Sequence, residues 1–443
     1  MSLSKPNRTA ANIRGGGWLL SDSEMTARKP IRQQLLVRRV LVAAVILASV
    51  VSIAPLLRGE THPASATARR PAPASRPVAG RTKSLGSTDV YADTNTLRAD
   101  VATDLNRVYV PSGISNLVTI IDPVTRQIVG SFTSEGTPQH IVPSYDLRTL
   151  WILNNKGDTV VPINAHTGRV GNPIPVNDPY NLYFTADGSA AIVVAEFHSR
   201  LDFRDPHSMA LEQSVPIPRC RGMNHADFSA NGAYMLLTCE YSGSIAKIDM
   251  RTRRVVGFMQ LTAPPGPSQM MMRMPDKSLS RSMPQDIRLS PDGTRFYVAD
   301  MLQGGVYVVD GATLKVLGFI PTGIGAHSIT PSRDGKHLFV ANRGSMEIKG
   351  RPGGQGSVTV LDAATGAVSA TWPIPGGGSP DMGNLTADGK ELWLSGRFDS
   401  EVYAFDTATG QLVARIPVAP GPHGLTVWPQ PGRYSLGHTG NMR

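Results

Sequence analysis

From about residue 90 onward, apolar and polar positions alternate in short runs separated by Gly, Asp, Asn and Pro. That period of two predicts strands that are buried on one face. Ser290 to Gly323 (SPDGTRFYVADMLQGGVYVVDGATLKVLGFIPTG) is the cleanest copy: an Asp-Gly turn, then the strands FYVAD, VYVVD and KVLGFIP. Val, Ile, Tyr and Phe fill the strands because branched and aromatic side chains pack well on a pleated surface. No long amphipathic helical pattern follows residue 87.

The pattern repeats. One strand in each unit ends in Asp or Asn, at Asp122, Asn164, Asp205, Asp249, Asp310, Asp362 and Asp406. Thr or Ser follows three residues later each time, at Thr125, Thr167, Ser208, Thr252, Thr313, Thr365 and Thr409. A short carboxylate or amide there accepts from backbone N–H groups two and three residues on and closes a turn, so these acids are structural. A second landmark is the turn at Asp146, Asp187, Asn231, Asp292, Asp334 and Asp388, with spacings of 41, 44, 61, 42 and 54 residues. A period near 42 residues with four short strands is propeller spacing. The two long intervals place insertions at about 262–282 and 344–356.

Seven units predict seven four-stranded antiparallel blades over residues 87–443. The first set of outer strands, Arg107 to Phe132, lacks an inner strand of its own, and Gly421–Trp428 (GPHGLTVW) matches the inner-strand pattern. Joining both ends of the chain in one blade removes the open sheet edges. Leu97–Val101 competes for that slot, and Tyr434–Gly437 offers one more strand.

Each inner strand is entered by a three-residue motif whose third position is His140, Asn181, His225, Asp286, His327, Met382 or His423. Inner strands line a propeller's channel, so these seven should ring its mouth. Four of the chain's ten histidines stand there. His140, His225, His327 and His423 with Met382 could hold a copper-type metal ion, helped by Met283, Met301 and the run Met270, Met271, Met272 and Met274. The plainer alternative is a polar channel filled with water, each histidine bonded to the next blade and the methionines forming an apolar lid. Loops after the second strands open on the same face and carry Asn154, Glu196, Glu240, Asp300, Arg343 and Arg397. Acids and then arginines on successive blades make the mouth electrically lopsided, which suits a ligand with a cationic and an anionic end. Solvated loop charges are the alternative reading.

FYVAD at 296–300, FVAN at 339–342 and the D-x-x-T-G turns at 362–366 and 406–410 resemble the YVTN family of β-propeller repeat proteins over about residues 90–437. The resemblance implies a seven-bladed fold and an exported or cell-surface protein. It implies no activity, because related propellers include lactonases, nitrous oxide reductase and quinoprotein amine dehydrogenases. A lactonase would draw on Glu196, His225 and Asp227, which no spacing singles out, and G-x-S-x-G and H-E-x-x-H are absent.

Charge and the N-terminal stretch add location. The net charge is +10, but residues 1–86 hold 14 Lys/Arg against 3 Asp/Glu, leaving 87–443 with 30 basic and 31 acidic residues. The propeller therefore lacks the basic field of a nucleic-acid binder. Residues 1–39 read as a basic cytoplasmic tail, 40–57 (VLVAAVILASVVSIAPLL) as a membrane anchor and 58–86 as a Pro/Ala/Arg-rich linker. Basic residues precede the apolar run, so the tail stays inside and the propeller is exported. The small-x-small sites at residues 64–68 lie beyond Arg58 and Glu60, which favours an uncleaved anchor over a cleaved signal peptide. Arg38-Arg39 has the look of a twin-arginine signal, but its flanks match poorly. Cys220 and Cys239 fall at the same end of one hairpin, and export permits a disulfide between them, free thiols being the alternative.

The sequence thus points to an extracytoplasmic, membrane-anchored propeller that binds a ligand or protein through its channel mouth. The alternatives are a metal-binding or redox propeller and a lactonase-like hydrolase.

Overall fold

A computed structural model describes residues 95–262, 282–438 and 441–443. The tail, the anchor at 40–57, the linker and the Met270–Met274 run lie outside the described residues. Among the described residues, no helix is long and apolar enough to cross a membrane.

Seven four-stranded antiparallel sheets form. Blades 1 to 6 begin with the inner strands Pro138–Pro143, Pro179–Phe184, Met223–Phe228, Pro284–Leu289, Ala326–Pro331 and Pro380–Leu385. Blade 7 takes its inner strand, Thr426–Trp428, from the end of the repeat region and pairs it with Arg107–Ser112 from the beginning. The closure expected from Gly421–Trp428 is therefore present. Leu97–Val101 forms a turn instead, tied by the Val101 N–H donating to the Arg98 carbonyl at 3.0 Å. Tyr434–Gly437 adds no strand to a blade; its Gly437 bridges Tyr183 and its Ser435 bridges Met442.

The turns follow the local chemistry. Asp406 Oδ1 accepts from the Ala408 and Thr409 N–H groups at 3.1 and 2.7 Å, and Asp122, Asp310 and Asp362 do the same in their blades. Each such bond satisfies a backbone donor that the hairpin leaves unpaired.

Inner strands are buried at all or all but one of their residues, whereas outermost strands such as Leu211–Pro216 are mostly exposed. One apolar cluster fills each of the seven gaps between neighbouring blades. Between blades 2 and 3, for example, Tyr183, Val194 and Phe203 meet Ala226, Phe228 and Leu237. Burying such a side chain is worth about 1.5–3 kcal/mol, so the stack of sheets is held laterally by these clusters. Cys220 and Cys239 form a disulfide that ties the entry of blade 3 to the end of its second strand.

Candidate functional site

Strand alternation alone would send only every second inner-strand residue into the channel. The start of each inner strand in blades 1 to 6 departs from it, with register shifts at Pro138/His140, Pro179/Asn181, Met223/Ala226, Pro284/Ile287, Ala326/Ser328 and Pro380/Gly383. A bulge re-aims the residues at the rim. As a result the second-position residues Asn224, Gln285 and Asp381 are buried at the mouth along with the third-position ring.

The ring histidines gather. Ring centroids of His140 and His423 are 4.7 Å apart, His140 and His225 5.5 Å, His327 and His423 5.9 Å, and His225 and His327 6.2 Å. A fifth histidine, His438, joins them from the segment after blade 7, 4.4 Å from His225 and 5.6 Å from His140. It is held because the His438 N–H donates to the Leu182 carbonyl at 2.9 Å and the Phe184 N–H donates to the Leu436 carbonyl at 3.1 Å. Gly437 permits this approach: its φ is +96°, and a Cβ there would stand 2.2 Å from the Leu182 carbonyl oxygen. The same segment anchors through Asn441 and Arg443, both 3.0 Å from Asp227 Oδ1.

Asn181 and Asp286 meet this added ring. The Asn181 amide nitrogen donates to His225 Nδ1 at 3.0 Å and to His438 Nδ1 at 3.2 Å. Asp286 Oδ1 stands 3.4 Å from His438 Nε2 and 3.1 Å from Arg288, and its Oδ2 accepts from the Ile329 N–H of blade 5 at 2.9 Å. Met382 is buried, and its backbone is bonded to Ser395.

On the opposite side Asp381 is a hub. His423 Nδ1 lies 2.7 Å from Oδ2, and His327 Nδ1 and Arg343 Nε each lie 2.8 Å from Oδ1. Burial alone would raise the Asp381 pKa, but Arg343, His327 and His423 overcome it and hold the carboxylate well below its usual range. Burial pushes the histidines the other way: His140 and His327 fall to about 4, and His225, His423 and His438 are well below their ordinary value. The five rings are therefore neutral at neutral pH.

Above the rings lie the loop residues. Glu240 accepts from the Asn224 amide at 3.4 Å. Burial, reinforced by Glu240, raises Glu196 to about 8, and burial likewise raises Glu240 and the Tyr180 phenol. Arg343 stacks over Phe398 and reaches Met301 Sδ at 3.5 Å. Arg397 has only Asp381, at 4.0 Å, as an ion partner among the described residues. Asn154 and Asp300 are structural pins instead. Asn154 is bonded to Ser134 and Thr159, and Asp300 accepts from the Met283, Leu302 and Gln303 N–H groups and from Ser282. Asp227 is likewise engaged, accepting from the Leu289 N–H at 2.8 Å besides Asn441 and Arg443.

His438, Asp381 and Tyr180 are the residues that sequence reasoning missed. The bulges hide the second-position Asp381 and Tyr180 from a period-two reading. His438 had one signal, a Gly-His pair in a segment outside the repeat.

A family model described as "YNCE-like beta-propeller" matches residues 273–431. No curated protein matches the chain in sequence. Similar solved structures include the hydrazine synthase of Kuenenia stuttgartiensis, at 20% identity and TM-score 0.52, covering 65% of this chain and 88% of that one. A functionally unknown protein from Desulfotomaculum acetoxidans is 15% identical with TM-score 0.57, over 73% of this chain and 99% of that one. A candidate 6-phosphogluconolactonase of Bacteroides uniformis is 18% identical with TM-score 0.55, again over 73% and 99%. Identities at this level speak for the propeller fold alone.

Proposed function

We propose that this protein is an extracytoplasmic, membrane-anchored binding propeller. Its ligand is a small dipolar molecule that sits on the channel mouth. An anionic group of the ligand faces Arg397 and Arg343, and a cationic or hydrogen-bond-donating group faces Glu196 and Glu240. The observation that carries this reading is the pairing of two under-satisfied groups on opposite sides of one mouth. The Arg397 guanidinium makes no hydrogen bond among the described residues, and its one ion partner is at 4.0 Å. The Glu196 carboxyl has no ion pair or side-chain hydrogen bond there either, and burial lifts its pKa to about 8. Leaving such groups partly buried and unmatched costs about 1–3 kcal/mol each, a cost that a complementary ligand removes.

Export is supported by the Cys220–Cys239 disulfide, which suits an oxidising compartment, and by the uncharged run at 40–57 behind a basic tail. The likeness to YVTN repeats agrees with both.

The reading is tested by thermal-shift screening of the full chain against amino acids, betaines and amino-phosphonates. A stabilising compound is expected for the wild type and not for Arg397→Ala. An equal shift in both would contradict it.

A further inference from the structure

We propose that His140, His225 and His438 form a binding site for a late first-row transition-metal ion, Cu²⁺ or Zn²⁺, within the channel and beneath the mouth. One ligand nitrogen from each ring lies within 4.8 Å of the others, and all three rings are buried. The Nε2 atoms of His140 and His225 are buried without a hydrogen-bond partner, and that of His438 stands 3.4 Å from Asp286 Oδ1. Clustered imidazole nitrogens, two of them buried without a hydrogen-bond partner, are costly in a core and are what a metal ion uses. Nitrogens bound at about 2.1 Å to one tetrahedral ion stand about 3.4 Å apart, so small side-chain rotations close the set.

The surroundings fit the same ion. His140 Nδ1 lies 2.9 Å from the Tyr180 carbonyl, so its proton is donated there and Nε2 is left with a lone pair. A ligating histidine commonly donates its other N–H to an oxygen in this way. Asn181 bridges the Nδ1 atoms of both His225 and His438. Turning its amide, at the expense of the bond that Oδ1 accepts from the Leu182 N–H at 2.9 Å, lets Oδ1 accept from both rings as each proton moves from Nε2 to Nδ1, and no net proton is released. Asn181 is thus a positioning residue. Gly424 leaves room for the His140 ring: a Cβ there would stand 2.1 Å from His140 Cδ2.

This assignment differs from a ring of four histidines. His327 and His423 spend their Nδ1 atoms on Asp381 and do not belong to the close set. Imidazole donors without thiolate suit copper, zinc or nickel, and the intrinsic affinity order favours Cu²⁺.

The test uses the full chain purified without an affinity tag and stripped with a chelator. One equivalent of Cu²⁺ should bind, and its electron paramagnetic resonance spectrum should show hyperfine coupling to three imidazole nitrogens. Binding by competition titration should weaken at least tenfold in His438→Gln and His225→Gln. It should stay within threefold in His327→Gln and in His166→Gln, an exposed control. Asn181→Asp, whose carboxylate accepts from both Nδ1–H groups, should bind Cu²⁺ more tightly than Asn181→Leu. Coupling to fewer than three nitrogens in the wild type, or unchanged affinity in a folded His438→Gln, would overturn the proposal. The wild-type spectrum decides alone if the variants do not fold.

Discussion

His423 Nδ1 lies 2.7 Å from Asp381 Oδ2, and that contact fixes blade 7 to blade 6 across the channel mouth. The same carboxylate holds His327 and Arg343 on its other oxygen. Asp381→Asn keeps the shape and removes the charge, leaving the buried Arg343 uncompensated. Breaking a buried ion pair in this way costs about 3–5 kcal/mol. Urea unfolding should therefore show a loss of that size. A change below about 1 kcal/mol would mean the hub contributes little to stability.

Acid should destabilise the propeller through its histidines. Burial lowers His140 and His327 from 6.5 to about 4, so the unfolded chain takes up protons near pH 6.5 while the folded rings stay neutral. Where the unfolded state binds more protons, stability falls as pH falls. The loss should run from about pH 6.5 down to about 4, at about 1 kcal/mol per ring per pH unit. Unfolding in the presence of a chelator at pH 7 and pH 5 measures it. His140→Gln should show the smaller drop; an equal drop would assign the acid sensitivity elsewhere.

Gly437 is where the final segment touches blade 2. A side chain at φ +96°, aimed 2.2 Å from the Leu182 carbonyl oxygen, cannot be accommodated without displacement. Gly437→Ala should expel His438 from the channel while the seven blades persist. Hydrogen exchange should rise at His438, whose N–H is bonded to Leu182, and remain low in Tyr234–Cys239. Protection kept at His438 would contradict this.

Cys220 and Cys239 are 19 residues apart in sequence. Closing a loop of that length stabilises the fold by about 3 kcal/mol in the chain-entropy view. Replacing both by Ala should lower stability by roughly that amount and leave the strand content intact by circular dichroism. No loss would show that blade packing alone positions this entry loop.

Much of this molecule is legible in the sequence because its parts are local. The Asp406-x-x-Thr409 turn is closed by atoms three residues apart, so reading it needs no tertiary knowledge. The same locality repeated seven times gives the blades and, by edge closure, the pairing of Arg107 with Trp428. The third-position ring is legible for the same reason. What fails to show is set by long-range contact. The bulge after Pro380 turns Asp381 inward against strand alternation, and the nearness of His438 to His225 joins residues from unconnected parts of the chain. The charges of Arg397 and Glu196 are visible in the sequence, but not that Arg397 has only a 4.0 Å ion partner and Glu196 none among the described residues.

The most direct measurement is a calorimetric titration of one dipolar ligand, the best from the thermal-shift panel, into wild type, Arg397→Ala, Glu196→Gln and the double variant. The mouth predicts at least tenfold weaker binding in Arg397→Ala. It also predicts that affinity for a cationic group rises from pH 7 to pH 9 in wild type, as Glu196 ionises near 8, and stays flat in Glu196→Gln. Equal affinity in all four proteins, or no heat from any dipolar ligand in the wild type, would contradict it.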